Sequence, residues 1–253
     1  MTNRIADISR RQAAIVAGVG LLLMAILAPF AEFSVRQGLI VPGDAATTAH
    51  NIMANEGLFR IAICIYLIVA ILDVAVAWAL YVFLKPANKS LSLLAAWFRV
   101  VYAGILAVVL LNFVIALQLL SGADYLSAFG TDQVYAQAML FLNAFDYGWN
   151  IGLAIFGLHL LILGYLVFKL SGYMPKILGV LVMVAGLGYL IDSFGKLLSP
   201  NYDANIALFT FIGEVLLIFW LFFKGTRIPD QSTEAHSGYT GILDLYNLIQ
   251  TVL

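Results

Sequence analysis

The sequence predicts an all-α fold, a polytopic membrane helix bundle of six transmembrane helices with an amphipathic C-terminal helix. Three observations predict it. Of 253 residues, 63% are hydrophobic and only 11% charged, with a mean hydropathy of +0.98, whereas soluble domains hold about 25% charged residues. Apolar runs recur along the chain, each near or above the ~20 residues that a helix needs to cross hydrocarbon. Basic residues gather in alternate connections, the pattern of the positive-inside rule.

Residues 1–12 form a polar N-terminus holding Arg4, Arg10 and Arg11. The apolar run over residues 13–30 reads as a retained first span. It is long for a signal-peptide core, and Ala28-Pro-Phe-Ala31 is a poor cleavage site. Residues 32–56 read as a polar connection punctuated by Pro42-Gly43. The second span is expected over residues 57–84 and the third over 91–120, joined by the basic turn Lys85-Pro-Ala-Asn-Lys89. Residues 121–133 are a loop with Asp124 and Asp132. Residues 134–168 would run ~50 Å as a helix, too long for one plain span. Asn143, Asp146, Tyr147 and Asn150 recur there at helical spacing, so this helix is expected to begin outside the membrane and enter it near Gly148. A fifth span over 175–197 opens with Pro175 in its first turn. The sixth, 205–223, follows the break at Ser199-Pro-Asn201.

Loop charges orient the set. Arg4, Arg10 and Arg11, then Lys85 and Lys89, then Lys169 and Lys176, then Lys224 and Arg227 lie on one side; the other holds Arg36 and Lys196 at most, with Glu32, Asp44, Glu56, Asp124, Asp132 and Asp203. Both termini are therefore expected in the cytoplasm. The division expected is 1–12 cytoplasmic, 13–227 membrane domain, and 228–253 cytoplasmic linker and tail helix. In the tail, Ile242, Leu245, Tyr246, Ile249, Val252 and Leu253 recur at helical spacing with Asp244 as the one charge after Tyr239. Residues 239–253 are expected to dock on the bundle, on a second copy or on a partner protein.

Several chemistries are set aside. A net charge of -1 with no basic run gives nucleic acid no footing. The lone Cys64 excludes an internal disulfide and a cysteine-cluster metal site. There is no G-x-S-x-G, no H-E-x-x-H and no glycine-rich phosphate loop. Only His159 of the three histidines falls within a span, so neither a metal nor a haem or other cofactor is expected. An intramembrane enzyme would rest on His159 with Glu214 alone.

The polar residues within spans sort into two layers by distance from the basic side. Near mid-depth lie Asp73, Arg99, Tyr102, His159 and Glu214, the candidate binding residues for a small solute or a proton. Asp73 precedes the 85–89 turn by about as many residues as separate it from Arg99, ~15–18 Å in each case, so the two are expected to pair. Glu214 has no evident partner. Arg60, Asp146, Asn150 and Asp192 form a candidate outer mouth, with Arg60 placed to meet Asp146 and Asp192 to pair with Lys196 one turn on.

Phe59-Arg-Ile-Ala62, Ile71-Leu-Asp73-Val-Ala-Val-Ala77, Leu93-Leu-Ala-Ala-Trp-Phe-Arg99, Met174-Pro-Lys-Ile-Leu-Gly179 and Ala185-Gly-Leu-Gly-Tyr-Leu-Ile-Asp192-Ser193 resemble a bacterial multi-pass membrane family called domain of unknown function 4386. The resemblance covers residues 12–227 and implies a helical membrane bundle in a bacterial plasma (inner) membrane; it implies no activity. The leading functional expectation is a membrane protein that binds or moves a small solute or proton through its polar site. The alternative is a structural or accessory subunit whose ion pairs lock the bundle and whose tail docks a partner.

Overall fold

The computed structural model describes residues 8–170, 174–199 and 201–224. Arg4 and the tail helix expected over 239–253 lie outside the described residues. Among those described, the fold is all-helical, with six helices long and apolar enough to cross a membrane. These are α1 (Arg10–Leu39), α3 (Glu56–Leu84), α4 (Lys89–Leu119), α5 (Thr131–Lys169), α6 (Lys176–Leu198) and α7 (Ile206–Phe223). A shorter helix, α2 (Ala45–Ala54), lies between α1 and α3. Each span packs against the next in chain order, and α7 returns to α1, so the six close into a ring. Lys85, Lys89, Lys169 and Lys176 mark its basic end; Asp44, Glu56, Asp124 and Asp132 mark the acidic end.

Local chemistry sets the helix starts. Ser9 and Gln12 form a reciprocal capping box on α1, the Asp44 carboxylate accepts from the Thr47 amide at 2.9 Å, and the Asn88 side chain accepts from the Leu91 amide at 3.0 Å. Large apolar side chains such as Ile71 (62% exposed), Val108 (65%) and Ile177 (63%) face outward, a surface suited to lipid. This is a multi-pass membrane protein.

The first span differs from the sequence expectation. It does not end near residue 30, and residues 32–56 are mostly helical. Pro29 lies inside the helix, and the chain passes through a wide π turn over Phe30–Arg36 before resuming α geometry at Gln37–Leu39. Proline lacks an amide donor and crowds the carbonyl four residues back, so it commonly ends or kinks a helix, yet here the chain stays helical beyond it. The extension places Glu32 and Arg36 inside the bundle. The α2 helix then folds back, with Asn51 donating to the Leu39 carbonyl at 3.1 Å and buried Thr48, Ala49 and Ile52 beneath it.

The contact between α5 and α6 is the most extensive, and it depends on paired glycines. A Cβ added at Gly164 would lie 2.5 Å from the Gly179 carbonyl oxygen, and one at Gly157 would lie 2.9 Å from that of Gly186. Backbones this close are the small-residue packing of membrane helices, where dispersion replaces a hydrophobic driving force. Next to it, Phe113 and Phe145 stack at 3.9 Å and Trp149 meets Tyr66 edge-on at 5.1 Å, tying α3, α4 and α5 together.

Candidate functional site

Two polar clusters occupy different depths of the ring. The deeper one joins α3, α4 and α5. Arg99 pairs with Asp73 at 2.6 Å, the two side chains being 4% and 3% exposed. A second guanidinium nitrogen of Arg99 lies 3.3 Å from His159 Nε2, while His159 Nδ1 lies 2.8 Å from the Ala95 carbonyl oxygen. A carbonyl only accepts, so Nδ1 holds the hydrogen and Nε2 accepts from Arg99. Arg99 also sits over the Phe156 ring at 5.3 Å, and Tyr102 packs on the same ring at 4.9 Å. The pairing expected from the short turn is present, with His159, expected at the same depth, as a third member. Glu214 on α7 bonds to the Tyr189 hydroxyl of α6. Its Oε1 and the Nε of Arg99 are both buried without a hydrogen-bond partner.

The second cluster lies toward the acidic end, between α1, α5 and α6. Arg36 donates through Nε to Glu32 Oε2 at 2.7 Å, pairs with Glu32 Oε1 as well, and reaches Asp146 Oδ1 at 2.7 Å. Tyr66 of α3 donates to Glu32 Oε2 at 2.9 Å. Asn150 donates to the Asp146 carbonyl at 2.7 Å. Glu32, Arg36, Asp146 and Asn150 border a cavity of about 660 Å³ whose wall also includes Trp149, Tyr189, Lys196 and Tyr202. The Trp149 indole nitrogen is buried with no acceptor among the described residues.

Two expected contacts are corrected. Arg60 does not meet Asp146. It pairs with Glu56 one turn back at 2.6 Å on an exposed face, with the two side chains 61% and 53% exposed, and borders a separate cavity of about 350 Å³ with Cys64 and Gln118. The cation that meets Asp146 is Arg36 of α1. Asp192 does not pair with Lys196 either. Its carboxylate accepts from Tyr202 Oη at 2.7 Å and from the amides of Ile206 and Ala207 at 3.0 and 2.7 Å. Those amides are two of the orphan donors at the start of α7, and a buried acceptor that meets them directly outcompetes a lysine one turn away. Held by Asp192, the Tyr202 hydroxyl is pushed up to about 12. Lys196 borders the cavity instead.

Of the expected outer-mouth residues, Asp146 and Asn150 line this cavity, whereas Glu32, Arg36, Tyr66, Trp149 and Tyr189 escape the sequence reading. Glu32 and Arg36 do leave one trace, opposite charges at i, i+4 directly after an apolar run, a spacing that favours continuing the helix. Among the described residues, no group of three or more His, Cys, Asp or Glu side chains could hold a metal ion.

Comparison with known proteins supports the family and names no chemistry. The chain is 40% identical over 166 residues to an uncharacterized protein of Archaeoglobus fulgidus, an alignment covering 66% of this chain and 84% of that protein. That relative is archaeal, so the family is not confined to bacteria. No solved structure matches. The profile of the family described as "Domain of unknown function (DUF4386)" matches residues 16–225, spanning the ring of helices and both polar clusters. The chain belongs to this DUF4386 family of unknown function.

Proposed function

We propose that this protein binds a small polar solute bearing charges of both signs in the cavity between α1, α5 and α6. The observation supporting it is the cavity wall, where about 660 Å³ of space meets Glu32, Arg36, Asp146 and Lys196 together. Small-molecule sites have volumes of about 300–1,000 Å³, and ionisable groups within a membrane domain are costly enough to mark pathways for solutes or ions. Two acids and two bases leave the wall formally neutral, which suits a zwitterion better than an anion or cation alone. Lys196 takes part in none of the direct ion pairs among the described residues, leaving an ammonium to meet a carboxylate. Asp146, 45% exposed on its side chain, presents an acid to a ligand ammonium.

In this reading the deeper cluster has a different task. Asp73 and His159 each bond Arg99 and so hold α3, α4 and α5 in register, the structural role that the sequence also allows. The acidic end faces outward from the cell and both termini face the cytoplasm, on the strength of the loop charges. The membrane is then the plasma membrane.

The test uses the full chain in lipid nanodiscs, with thermal unfolding followed as L-alanine, succinate or putrescine is added. L-alanine should raise the unfolding temperature through mass action, and Arg36→Met and Lys196→Met should each abolish the rise. Equal responses in wild type and both variants, or no response to any of the three probes, would overturn the assignment.

A further inference from the structure

Between the two clusters lies a carboxyl group that neither employs. Glu214 sits on α7 and is tied to α6 through the Tyr189 hydroxyl. Tyr189 is also part of the cavity wall. One phenol therefore touches the cavity on one side and Glu214 on the other. Two complementary atoms are buried and unsatisfied: Glu214 Oε1, an acceptor or acid, and Arg99 Nε, a donor. Buried polar atoms are nearly always bonded, so each orphan calls for an explanation. Two of opposite kind in one region, with Arg99 close enough to influence Glu214 electrostatically, point to a contact that forms in another state of the protein.

We propose that Glu214 is a proton-binding site, filled from the cavity through Tyr189, and that its carboxylate competes with Asp73 for Arg99. When Glu214 is the neutral acid, Arg99 stays with Asp73 and His159, as observed. When the proton leaves, the carboxylate draws the Arg99 Nε–H, and the guanidinium is shared between α3 and α7. The proton path balances without a redox partner. A hydronium ion in the cavity gives its proton to the Tyr189 oxygen as the Tyr189 O–H bond breaks and that proton forms an O–H bond on the Glu214 carboxylate. Water is left in the cavity and tyrosine is regenerated. Release reverses each step.

Charged and titratable groups surround Glu214 from three elements among the described residues. They are Tyr189 of α6, Arg99 and Tyr102 of α4, and Asp73 of α3. The neighbouring α1 has no charge between Arg11 and Glu32, so its charged groups lie at its two ends. Solute binding and proton binding would then be linked through Tyr189, whose ring is shared by both sites. The proton site rests on the solute-binding reading only for what the proton is linked to; its own titration needs no solute.

The experiment has two arms, both on the full chain in nanodiscs. In the first, infrared difference spectra are recorded across a pH titration without solute. A carboxylic-acid C=O band that titrates should be present in wild type, absent in Glu214→Gln, and shifted in frequency in Tyr189→Phe, where its hydrogen bond is lost. In wild type alone, absence of any titrating carboxylic-acid band overturns the proposal even if Glu214→Gln fails to fold. A band unchanged in Glu214→Gln overturns it as well. In the second arm, the L-alanine affinity is measured against pH. One linked proton gives a change of up to about tenfold per pH unit, and that dependence should vanish in Glu214→Gln. An equal pH dependence in both proteins overturns the coupling while leaving the solute site intact. If L-alanine fails to bind at all, the solute reading falls and the infrared arm still decides the proton site.

Discussion

The two clusters are chemically alike and physically opposite. Each centres on an arginine held by carboxylate, with a third polar group beside it: Asp73 and His159 around Arg99, Glu32 and Asp146 around Arg36. Around Arg99 the charged side chains are 3–4% exposed. Around Arg36 they are 20%, 21% and 45% exposed and open on a cavity. An ion pair sealed from water loses almost everything when one member is removed, since the other charge stays behind unpaired. A pair reached by solvent is worth little by itself and can exchange its partners for those of a ligand. Burial, more than residue type, separates a lock from a site.

Arg99→Met against Arg36→Met is the sharpest way to break that contrast. Arg99→Met strands Asp73 in the bundle interior and should cost about 3–5 kcal/mol of stability in nanodisc unfolding. The double variant Asp73→Leu/Arg99→Met, which removes both charges, should recover most of it, because well-packed apolar residues often replace a buried pair without loss. Arg36→Met should cost about 1 kcal/mol or less. Equal losses from the two single variants would erase the distinction between lock and site, and a double variant no better than Arg99→Met would show that packing rather than charge dominates.

The deeper cluster was legible in the sequence because a five-residue turn equalises the depths of Asp73 and Arg99 whatever the remaining helices do. His159 was legible as a polar residue at that depth, though its partners were not, since they depend on how α5 rotates against α4. The cavity was hidden for a different reason. Its central pair, Glu32 and Arg36, falls after Pro29, where a proline followed by charges reads as the end of a span. The π turn that follows Pro29 and carries the helix on is a tertiary outcome; no local rule announces it. Without those two residues, the nearest visible cation for Asp146 is Arg60, and helical phase cannot correct this because it fixes angles within one helix and not between two.

Asp192 offers an intermediate case, a buried carboxylate (6% exposed) whose hydrogen bonds among the described residues come from neutral donors. If burial sets the scale of the effect, Asp192→Ala should fall between the two arginine variants in its upper range. It removes the acceptor for both first-turn amides of α7 and for Tyr202, a loss of about 1–2 kcal/mol at a helix start. Amide exchange should accelerate at Ile206 and Ala207 before it does elsewhere in α7. Unchanged exchange there would mean that water replaces the carboxylate and that α7 needs no cap.

The smallest effect concerns Tyr202, outside the spans, and it gives a pH signature that the membrane groups do not complicate. Its hydroxyl donates to Asp192 at 2.7 Å, and that carboxylate holds the phenol proton in place, pushing its titration up to about 12 from the ordinary value of 10.0. Deprotonation would place a phenolate against a carboxylate, so the folded state resists it. The raised value fixes the sign: the unfolded chain loses this proton first, so the contribution is fully present below the ordinary tyrosine range and disappears as pH rises through about 12. Subtracting the phenolate absorbance titration of Tyr202→Phe from that of wild type isolates one tyrosine among twelve. The difference curve should have its midpoint well above that of a free tyrosine. A midpoint at the ordinary value would mean that Tyr202 leaves Asp192 in solution, and Asp192 would then cap α7 through backbone amides alone.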